Sequence, residues 1–126
     1  MANEHWQVEP DRHDFPAAST YLSLICDPTV AQRLVALLQE APTSIYQAKD
    51  LLRASGLALL DKNNAHVAKD LDKVRGGHKL SPILLVRGDF IERRPLVVAD
   101  GYHRICASYW IDEDSSIPCR VADVAN

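Results

Sequence analysis

The sequence predicts an α/β (α+β) fold in which short strands alternate with helices, preceded by an N-terminal helical pair. Three observations carry this. Residues 96–99 are apolar without alternation, as in a strand covered on both faces, and 82–86 and 117–121 read as two further strands. Val67, Leu71 and Val74 recur at helical spacing between them, as do Ile105, Ser108 and Tyr109. Ahead of all these, two Asp/Pro helix-entry signals each precede a helical apolar stripe.

The elements follow in order. Residues 1–13 are polar and are expected to form a loose tail. Asp14-Phe15-Pro16 reads as a helix entry with Asp14 as cap, and Phe15, Ala18, Leu22 and Ile25 form its stripe. Asp27-Pro28 repeats the signal, and Val30, Leu34, Leu37/Leu38 and Ala41 share one face until Pro42. With Arg33 as its one basic residue, the second helix packs rather than reads DNA. Residues 45–53 are ambiguous: Ser44-x-x-Gln47 fits a capping box, and Ala48, Leu51 and Leu52 can line a helix. Ser55-Gly56 breaks the chain, 57–60 is a short apolar piece, and Asn64 is a good cap. A helix runs over 65–75 and ends at Gly76-Gly77. A loop covers 88–94, and an acidic loop at 112–116 precedes the last strand.

Composition bounds the function. The 126 residues suit one domain, with an ordinary hydrophobic fraction of 47%. The net charge of −3 argues against a general nucleic-acid coat but permits a local basic pocket. Cys26, Cys106 and Cys119 show no zinc or disulfide spacing and read as reduced thiols. The N-terminus lacks the pattern of a signal peptide, and no apolar run approaches the ~20 residues of a membrane span, so a soluble cytoplasmic protein is expected.

The chemistry concentrates where the 96–99 strand meets the 102–110 helix. Asp100-Gly101 makes the turn, and His103 and Arg104 fall in the helix's first turn. Those two have the wrong sign to stabilise the helix but the right sign to grip an anion at its start. Gly101 lets the backbone come close to a phosphate, Arg104 can donate two parallel hydrogen bonds, and His103 can donate one more. As surface ion pairs, His103 and Arg104 would instead meet Asp100 or the acidic loop. Asp100 has two uses, capping the helix or holding Mg²⁺ on a nucleotide. Lys69 and Lys73 share a helix face and can supply point charges to a polyphosphate, or form a solvated face.

Asp-Gly-Tyr-His-Arg-Ile-Cys-Ala resembles the Gly-x-His/Arg-Arg-x-x-Ala signature of the ParB/sulfiredoxin-like superfamily. The similarity spans about residues 44–122, including Leu80-Ser81-Pro82-Ile83-Leu84-Leu85-Val86 before the motif and Ile117-Pro118-Cys119-Arg120-Val121 after it. It implies a core of a small mixed sheet with flanking helices, and a strand at 45–48 rather than a helix. It implies that Gly101, His103 and Arg104 hold nucleotide phosphates, with Tyr102 beside them. Lys69, Lys73 and the weaker candidate Arg53 would flank them, and Asp100 could bind Mg²⁺ through the nucleotide.

Tyr102 stands where sulfiredoxins carry their catalytic Cys, so the sulfiredoxin reaction is not implied. Tyr102 reads instead as a packing residue or a face for a base. The DNA-reading domain of ParB proteins is not expected after residue 122, and no carboxylate cluster supports a nuclease. The expected ligand is a nucleotide or another phosphorylated small molecule, with phosphoryl transfer or hydrolysis open. The alternative is a non-enzymatic interaction module whose helical pair meets a protein partner or a second copy.

Overall fold

A computed structural model describes residues 5–124, and these form a mixed α+β structure. The N-terminal pair is α1 (Asp14–Leu22) and α2 (Pro28–Glu40). Then follow β1 (Ser44–Gln47), α3 (Ala48–Ser55), α4 (Ala65–Arg75), β2 (Ile83–Val86), β3 (Val97–Asp100), α5 (Tyr102–Ile111) and β4 (Ser116–Ala122). The four strands lie in the order β1-β4-β2-β3. β4 runs antiparallel to β1 and parallel to β2, and β3 closes the other edge antiparallel to β2.

The central strand explains its own sequence. Ile83 and Leu85 enter the core beneath α3, α4 and α5, while Leu84 and Val86 enter a second core beneath α1 and α2. All four are buried, so the run cannot alternate. Burying each of these side chains fully stabilises by about 1.5–3 kcal/mol relative to exposure. β3 is an edge strand, and among residues 97–100 only Ala99 is fully buried, so the expectation of burial on both faces holds only in part.

Local signals set most helix ends. Asn64 caps α4 by accepting from the His66 and Val67 amides, and Asp27 caps α2 by accepting from Thr29. Two readings need correction. The 45–53 stretch is both strand and helix: Ser44–Gln47 pairs with β4, but the strand stops before Ala48, where α3 starts. Gln47 is the N-cap without a side-chain bond, so no capping box forms. Of the tail expected over 1–13, residues 1–4 lie outside the described residues, and 5–13 are not loose. Trp6 is only 3% exposed, and main-chain bonds from Gln7 N to the Leu80 carbonyl (2.8 Å) and from Leu80 N to the His5 carbonyl (2.7 Å) bind the segment to the entry of β2. Burying an aromatic that large adds a substantial apolar area to the core.

α5 is tied back by its aromatics. The Tyr102 hydroxyl donates to the Ala58 carbonyl, and Trp110 Nε1 donates to the Leu60 carbonyl at 2.8 Å. The irregular 57–60 segment is thereby held against the helix. No helix is long and apolar enough to cross a membrane among the described residues.

Candidate functional site

A polar cavity of about 580 Å³ opens where β3 hands over to α5. Four segments build it. The start of α5 contributes Gly101, His103 and Arg104, and α4 contributes His66, Lys69, Asp70 and Lys73. The loop before β2 supplies His78, Lys79 and Ser81, and the N-terminal segment supplies Asp11 and His13. Four of the chain's five histidines line this one hollow. Beside them stand four permanent cations, Lys69, Lys73, Lys79 and Arg104, against three carboxylates, Asp11, Asp70 and Asp100. In a chain with net charge −3, this is a local inversion of sign.

The turn that presents α5 depends on Gly101, whose φ is +114°. Gly101 is the N-cap and makes no side-chain bond, so the amides of the first turn have no side-chain acceptor there. Asp100 does not cap the helix. Its Oδ2 accepts from Arg104 Nη2 at 3.0 Å. Arg104 Nη1 also lies 3.8 Å from Asp14 Oδ1, and Arg104 Nε is buried without a partner among the described residues.

Asp14, expected as a helix cap, is instead a buried carboxylate. It accepts from Ser81 Oγ, which itself accepts from the Asp11 amide at 2.9 Å. His13 occupies the cap position of α1 and makes no side-chain cap bond. Arg104 thus bridges two carboxylates from different layers of the fold.

These contacts shift the titrations. Burial raises the Asp100 pKa, Arg104 opposes that, and the Asp14 carboxylate adds to it. Burial also raises Asp70, against the pull of Lys73, Arg104, His103 and Lys69. His103 is held below its ordinary 6.5, first by burial and then by His66, with Asp70 opposing and Arg104 adding. The His66 and His103 rings lie 4.6 Å apart between centroids, tilted by 40°.

No protein-family model matches the chain, and no curated protein or solved structure matches it significantly.

Gly101, His103, Arg104, Lys69, Lys73 and Asp100 all meet at the one cavity. Tyr102 and Arg53 do not line it. Tyr102 faces the 57–60 segment, and Arg53 pairs with Asp50 at 3.2 Å beside a separate hollow next to Tyr109. Position i+1 after Gly101 turns away from the mouth, and α3 contributes no residue to it. Arg104 makes the carboxylate pairing that was the alternative to anion binding, whereas His103 makes none among the described residues. Reading by spacing missed Asp14, Asp70, Lys79 and the histidines at 13, 66 and 78. The dense Asp-Arg-His-Asp run at 11–14 was the available signal.

Asp100 was also a candidate for Mg²⁺. Its carboxylate already accepts from a guanidinium, and that cation repels a second one from the same oxygens. The residues present do not fit a magnesium ion held at Asp100, and any Mg²⁺ accompanying a nucleotide would be held by its phosphates.

Proposed function

We propose that this cavity binds a nucleotide or another phosphorylated small molecule. The reading rests on one observation: Lys69, Lys73 and Lys79 converge with four histidines on the open start of α5. Lysines supply point charges, the histidines supply ring N–H donors, and the Gly101 turn leaves room for close backbone approach. Arg104 contributes by fixing the Asp100 carboxylate, which lines the cavity, against the buried Asp14 carboxylate behind it. The resemblance of the Gly101–Arg104 motif to the ParB/sulfiredoxin-like signature favours a nucleotide. Phosphoryl transfer or hydrolysis here would run on positioning and charge stabilisation. All three cysteines are unpaired, which agrees with a reducing, cytoplasmic setting.

Thermal melting against ATP, ADP, CTP and GTP, each with and without Mg²⁺, tests the reading. A ligand at about a hundred times its Kd adds roughly 2.7 kcal/mol, a rise of several degrees for a domain of this size. Lys69→Ala with Lys73→Ala should abolish the rise without lowering the melting point of the free protein, because neither lysine is paired to a carboxylate among the described residues. No rise with any nucleotide would overturn the nucleotide reading.

The pH dependence supplies a second check. His103 is neutral-biased in the free protein. Its depressed pKa contributes stability that is present above 6.5 and is lost as pH falls toward the lower folded value. An anion beside the ring reverses that bias, so binding takes up a proton. Sulfate, which does not titrate in this range, should therefore bind more tightly as pH falls from 8 to 6. Each linked proton sets a ceiling of about tenfold per pH unit. His103→Gln should make the profile shallower than that of wild type, and a flat wild-type profile in calorimetric titration would remove His103 from the site.

One observation favours the interaction module as a second reading. Tyr21, Leu24, Ile25 and Leu37 are exposed on or beside the α1–α2 pair, with Leu24 at 80%. That surface is separate from the polar cavity, and a protein partner there is compatible with ligand binding at α5.

A further inference from the structure

A second cavity, of about 630 Å³, lies at the other end of the β2–β3 pair. β2 leads from the polar cavity at Ser81 towards this one at Arg87, and β3 runs back from Val97 to Asp100. Its walls are Leu51 and Ala54 of α3, Leu85 and Val121 of the sheet, and Pro95 and Leu96 leading into β3. A hollow of that size with apolar walls and a few polar groups at its mouth suits a small organic ligand.

The mouth carries three guanidiniums. Arg87 is paired with Asp123 at 2.5 Å, and Arg94 with Asp89 at 3.5 Å. Asp50, also at the mouth, is taken up by Arg53. Arg93 has no carboxylate partner among the described residues. It is also the one non-glycine residue with positive φ among them, at +59°. An arginine in that conformation is held there by its surroundings.

The surroundings are a cross-braced turn. Asp89 and Arg94 exchange both main-chain hydrogen bonds, at 2.8 and 2.9 Å. The Asp89 carboxylate accepts from the amides of Ile91 (2.9 Å) and Glu92 (3.2 Å). The turn therefore fixes the Arg93 backbone beside an apolar hollow, with its exposed guanidinium free of a carboxylate partner among the described residues. Phe90 also borders the hollow and is 94% exposed.

We propose that this cavity binds a small amphipathic carboxylate, its hydrocarbon body between α3 and the sheet and its carboxylate on the Arg93 guanidinium. The charge balance selects the head group. A single free guanidinium fits a singly charged, planar acceptor, to which it can donate two parallel hydrogen bonds. A neutral ligand would leave that charge unanswered. A cationic ligand would meet it at the mouth.

Amide-resolved NMR titration of the full chain with octanoate, 1-octanol and octyltrimethylammonium tests this. Octanoate should saturate with shifts centred on Leu85, Leu96 and Val121, and should bind at least tenfold more tightly than octanol. Arg93→Gly keeps the backbone conformation accessible. It should melt at or above the wild-type temperature and lose about tenfold in octanoate affinity, with octanol unchanged. Ala54→Phe, which fills the hollow, should block both. The proposal is overturned if octanol matches octanoate, if Arg93→Gly binds octanoate as wild type does, or if the shifts fall elsewhere. It is equally overturned if simple dilution produces the same shifts, since a second copy would then be the occupant. Because the two cavities lie at opposite ends of the strands, none of these results bears on nucleotide binding.

Discussion

Arg104→Ala is expected to destabilise the protein by about 3–5 kcal/mol at neutral pH, the usual cost of removing one partner from a buried ion pair. The side chain is 16% exposed and spans Asp100 at 3.0 Å and Asp14 at 3.8 Å, and Asp14 is almost fully buried. Without the guanidinium, two neighbouring carboxylates remain in a poorly solvated site. Burial already raises the Asp100 pKa, Arg104 opposes the rise, and Asp14 adds to it. Removing the opposing charge drives Asp100 further toward its protonated form.

The sign of the pH effect follows. A carboxylate with a raised folded pKa contributes stability that is present below its unfolded value, 3.8, and lost as pH rises through the folded one. The variant's folded value lies higher still, so its deficit is largest at neutral pH and shrinks as the solution is acidified. Urea unfolding of wild type, Arg104→Ala and Arg104→Ala/Asp100→Asn at pH 5 and pH 7.5 measures this. The double variant should recover part of the loss at the higher pH. A deficit under about 1 kcal/mol that does not change with pH would place Arg104 among ordinary exposed pairs. It follows that Arg104 is a poor probe of ligand affinity, because removing it changes the whole floor of the cavity. Lys69 and Lys73 serve better.

The ease with which each part of the fold could be read tracks how local its cause is. α4 was legible from end to end because Asn64 and Gly76-Gly77 punctuate it and Val67, Leu71 and Val74 mark its buried face. β2 was legible because a strand covered on both faces has nowhere to place a polar residue. Residues 45–53 resisted because their local preference is helical up to the point where pairing intervenes. Only registry with Ser116–Cys119, some seventy residues away, makes Ser44–Gln47 extended. Asp14 is the same lesson at a single residue. Beside Pro16 it has every mark of a cap, yet Ser81 and Arg104 claim its carboxylate from across the fold. The motif at 101–104 announced half of the candidate site. The other half, with histidines drawn from 13, 66 and 78, has no spacing to recognise, since three separate loops and helices bring them together.

Gly101→Ala should be the most damaging single-methyl change near the site, costing about 2–6 kcal/mol. Two terms add. A φ of +114° with ψ of 16° is strained for any residue with a Cβ, by roughly 1–3 kcal/mol. The added carbon would also lie 2.5 Å from Ile83 Cδ1 and 2.8 Å from Arg104 Nη2, and overpacking of that kind costs about 1–3 kcal/mol. Ile83 is wholly buried beneath α5 and has no room to retreat, so the methyl must displace the guanidinium. That is the group joining Asp14 to Asp100. The variant should therefore weaken sulfate and nucleotide binding even under conditions where it remains folded. Gly56 provides the internal control. It too has positive φ, at +70°, but nothing lies within 4 Å of where its Cβ would stand. Gly56→Ala carries the backbone term alone, about 1 kcal/mol, and should leave ligand binding untouched. If urea titration found the two alanine variants equally stable, the close approach of Gly101 to Ile83 and Arg104 would carry no energetic weight, and the rigid turn on which the anion site depends would lose its physical basis.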